Sequence, residues 1–410
     1  MIPRLFTQKL RKMLEVFPVV AVVGPRQVGK STLVQEPEIG QGRHYRTLDD
    51  ISTRGLAQSD PTAFLSKSDW LTVDEVQLAP ELLREMKRLI DVDRRPGRFL
   101  LTGSAELNYC ADISHVLAGR VGILHLPPIC WSEEHQSTLK FLTAWTSTTD
   151  LATFEKSFVD VKLPEWDWYR VVAGGFPLSL LATNKTARDM WFQAFRTTYL
   201  ERDIRRISDI GNLAGFDRLM ELTATRTACL LNQASLARDS GLTPATCGRY
   251  LSVLEASLLV RRQTPYFTNI GKRMVKSPKL YWEDTGVAAY LLGLGSTQEL
   301  LESRLCGQLF ETFVMNEVSA MSPLVKPSAN VHFIRTHTGL EVDGLLQAGG
   351  RLHPFEIKCR ETIRTEDAAP VRQWQQVTGN CEIGVVFYTG TELRRLGGNV
   401  LAVPVTALLL

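Results

Sequence analysis

The chain has 410 residues, 44% of them hydrophobic, 22% charged and 8% aromatic, with 47 Lys+Arg against 44 Asp+Glu. That composition excludes collagen-like, disordered and coiled-coil proteins, and the length predicts two or three domains, each able to bury its own core. No apolar run approaches the ~20 residues a bilayer span needs, so no membrane association is expected. With a net charge of +3, any attraction to nucleic acid must come from local asymmetry.

The first seventeen residues, MIPRLFTQKLRKMLEVF, mix basic and apolar types at helical spacing without the apolar core of a signal peptide, and predict an amphipathic helix. Apolar runs at 19–24 (VVAVVG), 70–75 (WLTVDE), 98–104 (RFLLTGS) and 121–128 (VGILHLPP) read as buried parallel strands. Helical text such as PELLREMKRLIDV lies between them, which predicts an α/β sheet covered on both faces. Between about 130 and 190 the text shifts to Ser, Thr, Glu and Trp with a Gly174-Gly175 turn, as in a lid or connector. From about 191 to 298 it is helical, and from about 299 onward a helix precedes strand-like segments. The expected units are therefore 1–130, 131–190, 191–298 and 299–410. Seven scattered cysteines without a CxxC pair fit reduced thiols in a cytoplasmic protein.

Directly after the first strand comes Gly24-Pro25-Arg26-Gln27-Val28-Gly29-Lys30-Ser31, followed by Thr32 and a helical text. Glycines at this spacing let successive backbone N–H groups face a phosphate, and the following helix adds its N-terminal dipole. Lys30 can reach the β- and γ-phosphates of ATP, and the Ser31 hydroxyl can ligate Mg2+. Asp74 and Glu75 close the second apolar strand, which suits a carboxylate steadying the metal followed by one that activates water. Thr102 or Ser104, ending the third strand, would touch the γ-phosphate or that water.

These motifs resemble those of prokaryotic AAA-type ATPases, in which a GPRQVGKS loop heads a multi-part protein. The resemblance continues through LDD at 48–50, LTVDEVQ at 71–77, LLTGSA at 100–105, LAGRV at 117–121, GGFP at 174–177 and YLERDI at 199–204. It implies an AAA+ P-loop fold and makes Arg120 a candidate transition-state arginine, acting within the chain or, in a homo-oligomer, on a neighbour. LPPICWSEE at 126–134 departs from the family pattern and leaves Glu133 without a role.

Residues 231–267 have helix-turn-helix grammar. Leu236 and Ala237 sit on a first helix, Gly241 lies in the turn, and Thr243 caps a second helix with Pro244 at its first position. LLVRRQTPYF then reads as the first strand of a wing. Thr246, Arg249 and Tyr250 are expected to face a DNA groove, with Arg261 and Arg262 meeting phosphate. Residues 196–276 hold 13 Lys+Arg against 7 Asp+Glu, a local excess of +6.

Near the end, Asp343 is followed thirteen residues on by Glu356-Ile357-Lys358 on what read as adjacent strands, so Glu356 and Lys358 share a face. Asp343 and Glu356 would hold Mg2+, Lys358 would orient water or stabilise a pentavalent phosphate, and Glu311 on the preceding helix would add a fourth group. This resembles the D…ExK set of restriction-endonuclease-like nucleases. The sequence thus points to an ATP-binding and ATP-hydrolysing protein associated with DNA. The alternatives are a metal-dependent endonuclease regulated by nucleotide and a nucleotide-gated interaction switch without nucleic acid.

Overall fold

In the computed structural model the described residues are all but 1, 104–112, 114–115, 159, 200–210, 267–276 and 380. Five strands, β1 (Val19–Val23), β2 (His44–Thr47), β3 (Leu71–Asp74), β4 (Phe99–Gly103) and β5 (Val121–His125), form a parallel sheet in the order β2-β3-β4-β1-β5. Every residue of β1, β3 and β4 is buried, as a sheet covered on both faces requires. Side chains alternate between the faces. Val20, Val22 and Leu100 pack with Phe6 and Leu10 of the N-terminal helix, whereas Val19, Ala21 and Leu101 meet Leu82, Met86 and Ile90 of helix Glu81–Val92. Because the strands are parallel, the loop after β1 and the residues ending β3 and β4 gather at one edge.

The 131–190 segment packs inward as an aromatic wedge. Phe141, Trp145, Phe154 and Phe158 are buried together, and the Trp145 indole N–H donates to the Ile383 carbonyl at 2.9 Å. Next come helices Gln233–Ser240 and Pro244–Ala256 and a three-stranded antiparallel sheet of β6 (Cys229–Leu230), β7 (Val260–Gln263) and β8 (Lys279–Trp282), in the order β6-β8-β7. Gly241 ends the first helix at φ 68°, and the Thr243 side chain accepts from the Thr246 N–H at 3.2 Å to start the second. The last unit is a six-stranded mixed sheet of β9 (Ala329–Arg335), β10 (Glu341–Ala348), β11 (Arg351–Lys358), β12 (Gly384–Tyr388), β13 (Arg394–Arg395) and β14 (Val400–Pro404). Its order is β13-β14-β12-β11-β10-β9, and helix Cys306–Met321 lies on one face. A single apolar core runs from one face of the first sheet through the middle helices to this last sheet. Among the described residues no helix is long and apolar enough to cross a membrane.

Candidate nucleotide site and the C-terminal carboxylates

The loop between β1 and helix Lys30–Gln35 takes its shape from two left-handed residues, Gln27 at φ 61° and Gly29 at φ 95°. Gly24 is required by space, because a Cβ there would sit 2.5 Å from the Leu126 carbonyl oxygen. Gly24, Pro25, Val28 and Lys30 are buried, Arg26 is half-buried, and Gln27 and Thr32 face outward. The Lys30 ammonium arches back over the loop, donating to the carbonyls of Gly24 at 3.0 Å and Pro25 at 2.7 Å.

Three hydroxyls donate to Asp74. Its Oδ1 accepts from the Ser31 hydroxyl at 2.9 Å and from the Thr102 hydroxyl, and its Oδ2 from the Tyr45 hydroxyl at 2.8 Å. Thr102 is fully buried and its Oγ1 also accepts from the Glu75 N–H at 3.2 Å, so one hydroxyl ties the Asp74 carboxylate to the Glu75 backbone. The sequence reading gave Thr102 to the phosphate or the water; here it serves the acids. Ser104 lies outside the described residues. Glu75 itself sits in the left-handed region at φ 59°, an unfavourable backbone for a residue with a Cβ, and its carboxylate accepts from the Gln77 side chain. Burial pushes the Glu75 pKa upward, with the Lys30 charge opposing the shift.

A hydroxyl and a carboxylate 2.9 Å apart form a hard oxygen set suited to Mg2+ carried on a nucleotide. The residues present therefore fit that group.

Two further contacts had no local signal. Arg4, 8% exposed, donates to the Val28 carbonyl at 3.0 Å and the Pro127 carbonyl at 2.7 Å while its Nε meets Glu133 at 3.0 Å. Glu133 also accepts from the N–H groups of Leu5 and Cys130, so the residue without a role anchors the underside of the loop. On the outer side the Trp191 indole N–H donates to Gln27 Oε1 at 2.9 Å, and Trp191 stacks with Phe195 and packs on Phe176 of the GGFP turn. That turn is pinned to the middle unit through Gly175 N–H and Asp284 at 2.5 Å.

The within-chain reading of Arg120 is corrected by its position. It precedes β5, its carbonyl accepts from Val19 N–H, and β1 separates it from the loop by roughly 13 Å of strand rise. Its guanidinium pairs with Asp91 at 2.6 Å, so it takes no part in the phosphate site of its own chain. Tyr250 is also corrected: it is 1% exposed and packs edge-on to Phe216. Cys247, Leu251 and Leu254 share its helix face and are buried with it, so the spacing that marked the helix already placed Tyr250 inward. Arg261 pairs with Glu283 at 2.9 Å and Arg262 with Glu255, which leaves neither guanidinium without a carboxylate. Thr246 is half-buried beside Thr243, and Arg249 is exposed. Residues 200–204 of YLERDI lie outside the described residues.

The C-terminal carboxylates do converge. Asp343 Oδ2 accepts from the Ile357 N–H at 3.0 Å, Glu356 Oε2 from the Asp343 N–H at 3.4 Å, and Lys358 pairs with Glu356 at 2.7 Å. Glu311 reaches the same cluster, and burial with the nearby Asp343 charge pushes its pKa up to about 7. Two residues that the sequence reading passed over complete it: Glu341, and Lys279 of β8. Where the sequence predicted Mg2+ on Asp343 and Glu356, the ammonium groups of Lys279 and Lys358 stand beside these two carboxylates. Among the described residues no group of three or more His, Cys, Asp or Glu is arranged to hold a metal ion.

The fold and the loop geometry define a P-loop ATPase class, and residues 16–135 match the family model described as an AAA domain. Residues 166–298 and 306–408 match two models described as domains of unknown function, DUF8612 and DUF4143. The uncharacterized protein Rv2008c of Mycobacterium tuberculosis is 31% identical over 405 residues, covering 98% of this chain and 83% of that protein. The uncharacterized protein Mb2031c of Mycobacterium bovis matches to the same extent. The chain belongs to the family of these mycobacterial proteins. Among solved structures, the Walker-type ATPase PABY2304 of Pyrococcus abyssi overlaps 71% of this chain and 96% of its own at 14% identity and a TM-score of 0.44. The RuvB branch migration motor of Thermotoga maritima overlaps 64% and 90% at 18% identity and a TM-score of 0.26, and both likenesses are too loose to bear on the site.

Proposed function

We propose that the chain binds ATP with Mg2+ on Gly24 to Thr32 and hydrolyses it to ADP and phosphate. The observation that carries this is the neutral-donor lattice around the two acids, in which Ser31, Tyr45 and Thr102 hold Asp74 without neutralising it. When bound, Mg2+ would be held by Ser31 with Asp74 behind it and would add positive charge at the β,γ-oxygens. Lys30 would leave the Gly24 and Pro25 carbonyls for the phosphates. Glu75, its basicity raised by burial, would accept the proton of the attacking water, with its backbone held by Thr102 and its carboxylate by Gln77. Lys30→Ala is expected to abolish nucleotide binding in calorimetry. Glu75→Gln should keep the binding and slow turnover by about 100-fold or more. Unchanged turnover in both variants contradicts the reading.

Nucleotide state would reach the rest of the chain through Gln27 and Trp191, since this contact joins the phosphate loop to the aromatic cluster of the middle unit. DNA association is proposed on narrower grounds: exposed Arg249, exposed Arg238 beside Asp239 at 3.3 Å, and the +6 excess over 196–276. Salt-dependent retention on a DNA column that weakens in an Arg238→Ala/Arg249→Ala double variant supports it. Flow-through at low salt rejects it in favour of a switch that works without nucleic acid.

A further inference from the structure

Lys279 is 3% exposed, lies on the central strand of the middle sheet, and points out of its own unit into the C-terminal one. Its ammonium stands 3.1 Å from Glu311, 3.0 Å from Glu341 and 3.6 Å from Asp343. The Phe333 ring lies beneath it at 5.7 Å, and Tyr281, two residues along the same strand face, donates to Glu311 at 2.7 Å. The remaining oxygens are tied elsewhere: Glu341 to Arg335 at 2.6 Å, and Asp343 to the β11 backbone. Three carboxylates from a helix and a strand of one unit thus converge on a single cation delivered by another unit. A divalent ion bound to these oxygens would need them at about 2.0–2.6 Å, within the volume the ammonium fills.

We propose that Lys279 is a resident cation, so that docking of the middle sheet on the C-terminal unit and binding of a divalent cation by Glu311, Glu341 and Asp343 exclude one another. The exclusion is reciprocal. Whatever draws β8 away from the last sheet exposes a divalent-cation site, and a divalent cation that gains the site favours undocking by the same factor. In the docked arrangement the ammonium of Lys279 fills the place a divalent cation between Glu311, Glu341 and Asp343 would take. The inference does not depend on ATP hydrolysis.

The test is Mn2+ binding to the full chain without nucleotide, followed by the spin-resonance signal of the free ion. Wild type is expected to show no Mn2+ site that Asp343→Asn removes. Lys279→Gln, which keeps a hydrogen-bond donor but loses the charge, is expected to gain one site at least about tenfold tighter than any wild-type site there. The gain should vanish in Lys279→Gln/Asp343→Asn, and Lys279→Arg, which keeps a cation, should gain nothing. A wild-type site lost in Asp343→Asn overturns the proposal, as does a folded Lys279→Gln protein with no gain. Should Lys279→Gln not fold, the wild-type and Asp343→Asn pair still decides it.

Discussion

Two clusters of buried acids in this chain use the same residue types to opposite ends. Asp74 is surrounded by the hydroxyls of Ser31, Tyr45 and Thr102, and Glu75 is held by a carboxamide and a backbone amide contact. These donors orient the oxygens without adding a charge of their own, and the Lys30 charge lies near enough to act on Glu75. At the other end Glu311, Glu341, Asp343 and Glu356 are held by Lys279, Arg335 and Lys358. There three cations of the chain already offset most of the charge of the four carboxylates. What separates a site ready for a metal–nucleotide complex from a joint between units is the charge of the donors, which the acids themselves do not reveal.

The sharpest way to break this comparison is to remove the charge from each cluster. Asp74→Asn is expected to lower ATP turnover by about 100-fold or more, whereas Glu356→Gln should leave it within a factor of two, read as steady-state phosphate release. Arg4→Ala comes next. It strands Glu133 in a nearly inaccessible site and frees the Val28 carbonyl, so a loss of about 3–5 kcal/mol is expected in denaturant unfolding. Conversion of Glu133 to Gln together with Arg4→Met should recover much of that loss while leaving the loop less firmly placed.

Glu317 tests the same principle through pH. It is fully enclosed, accepts from the Trp131 N–H at 2.8 Å, and burial pushes its pKa up to about 7 against the opposing Arg170 charge. The folded state therefore holds the proton more tightly than the unfolded chain. Its contribution to stability is complete below about pH 4.5 and is lost as pH rises through about 7, on the order of 3 kcal/mol in all. Glu317→Gln should raise the melting temperature at pH 8 and change it little at pH 4.5. The smallest effect is expected at the outer edge of the loop, where Trp191→Phe removes one hydrogen bond. It should weaken ATP binding several-fold, about 1 kcal/mol, with turnover at saturation nearly unchanged.

The phosphate loop, the strand ending in Asp74 and Glu75, and the helix-turn-helix were legible because each is a local pattern of strand, turn and cap. Tyr45 was not, because β2 is four residues of mostly polar text whose side chains are only partly covered. Arg4 and Glu133 are 129 residues apart, Gln27 and Trp191 164 apart, and no period in the sequence links them. Lys279 was illegible for a related reason. A lysine beside a short apolar strand reads as a solvated end until the last sheet is seen to close over it. The groove reading of Tyr250 fails because its spacing from Cys247 and Leu254 puts it on the inward face of the helix.

The most direct test sets the two clusters side by side in one assay: ATP turnover and ATP affinity of Asp74→Asn and Asp343→Asn, each measured in the full chain. Turnover is expected to collapse in the first and persist in the second. Persistent turnover in Asp74→Asn, or collapse in Asp343→Asn with ATP affinity intact, would contradict this expectation.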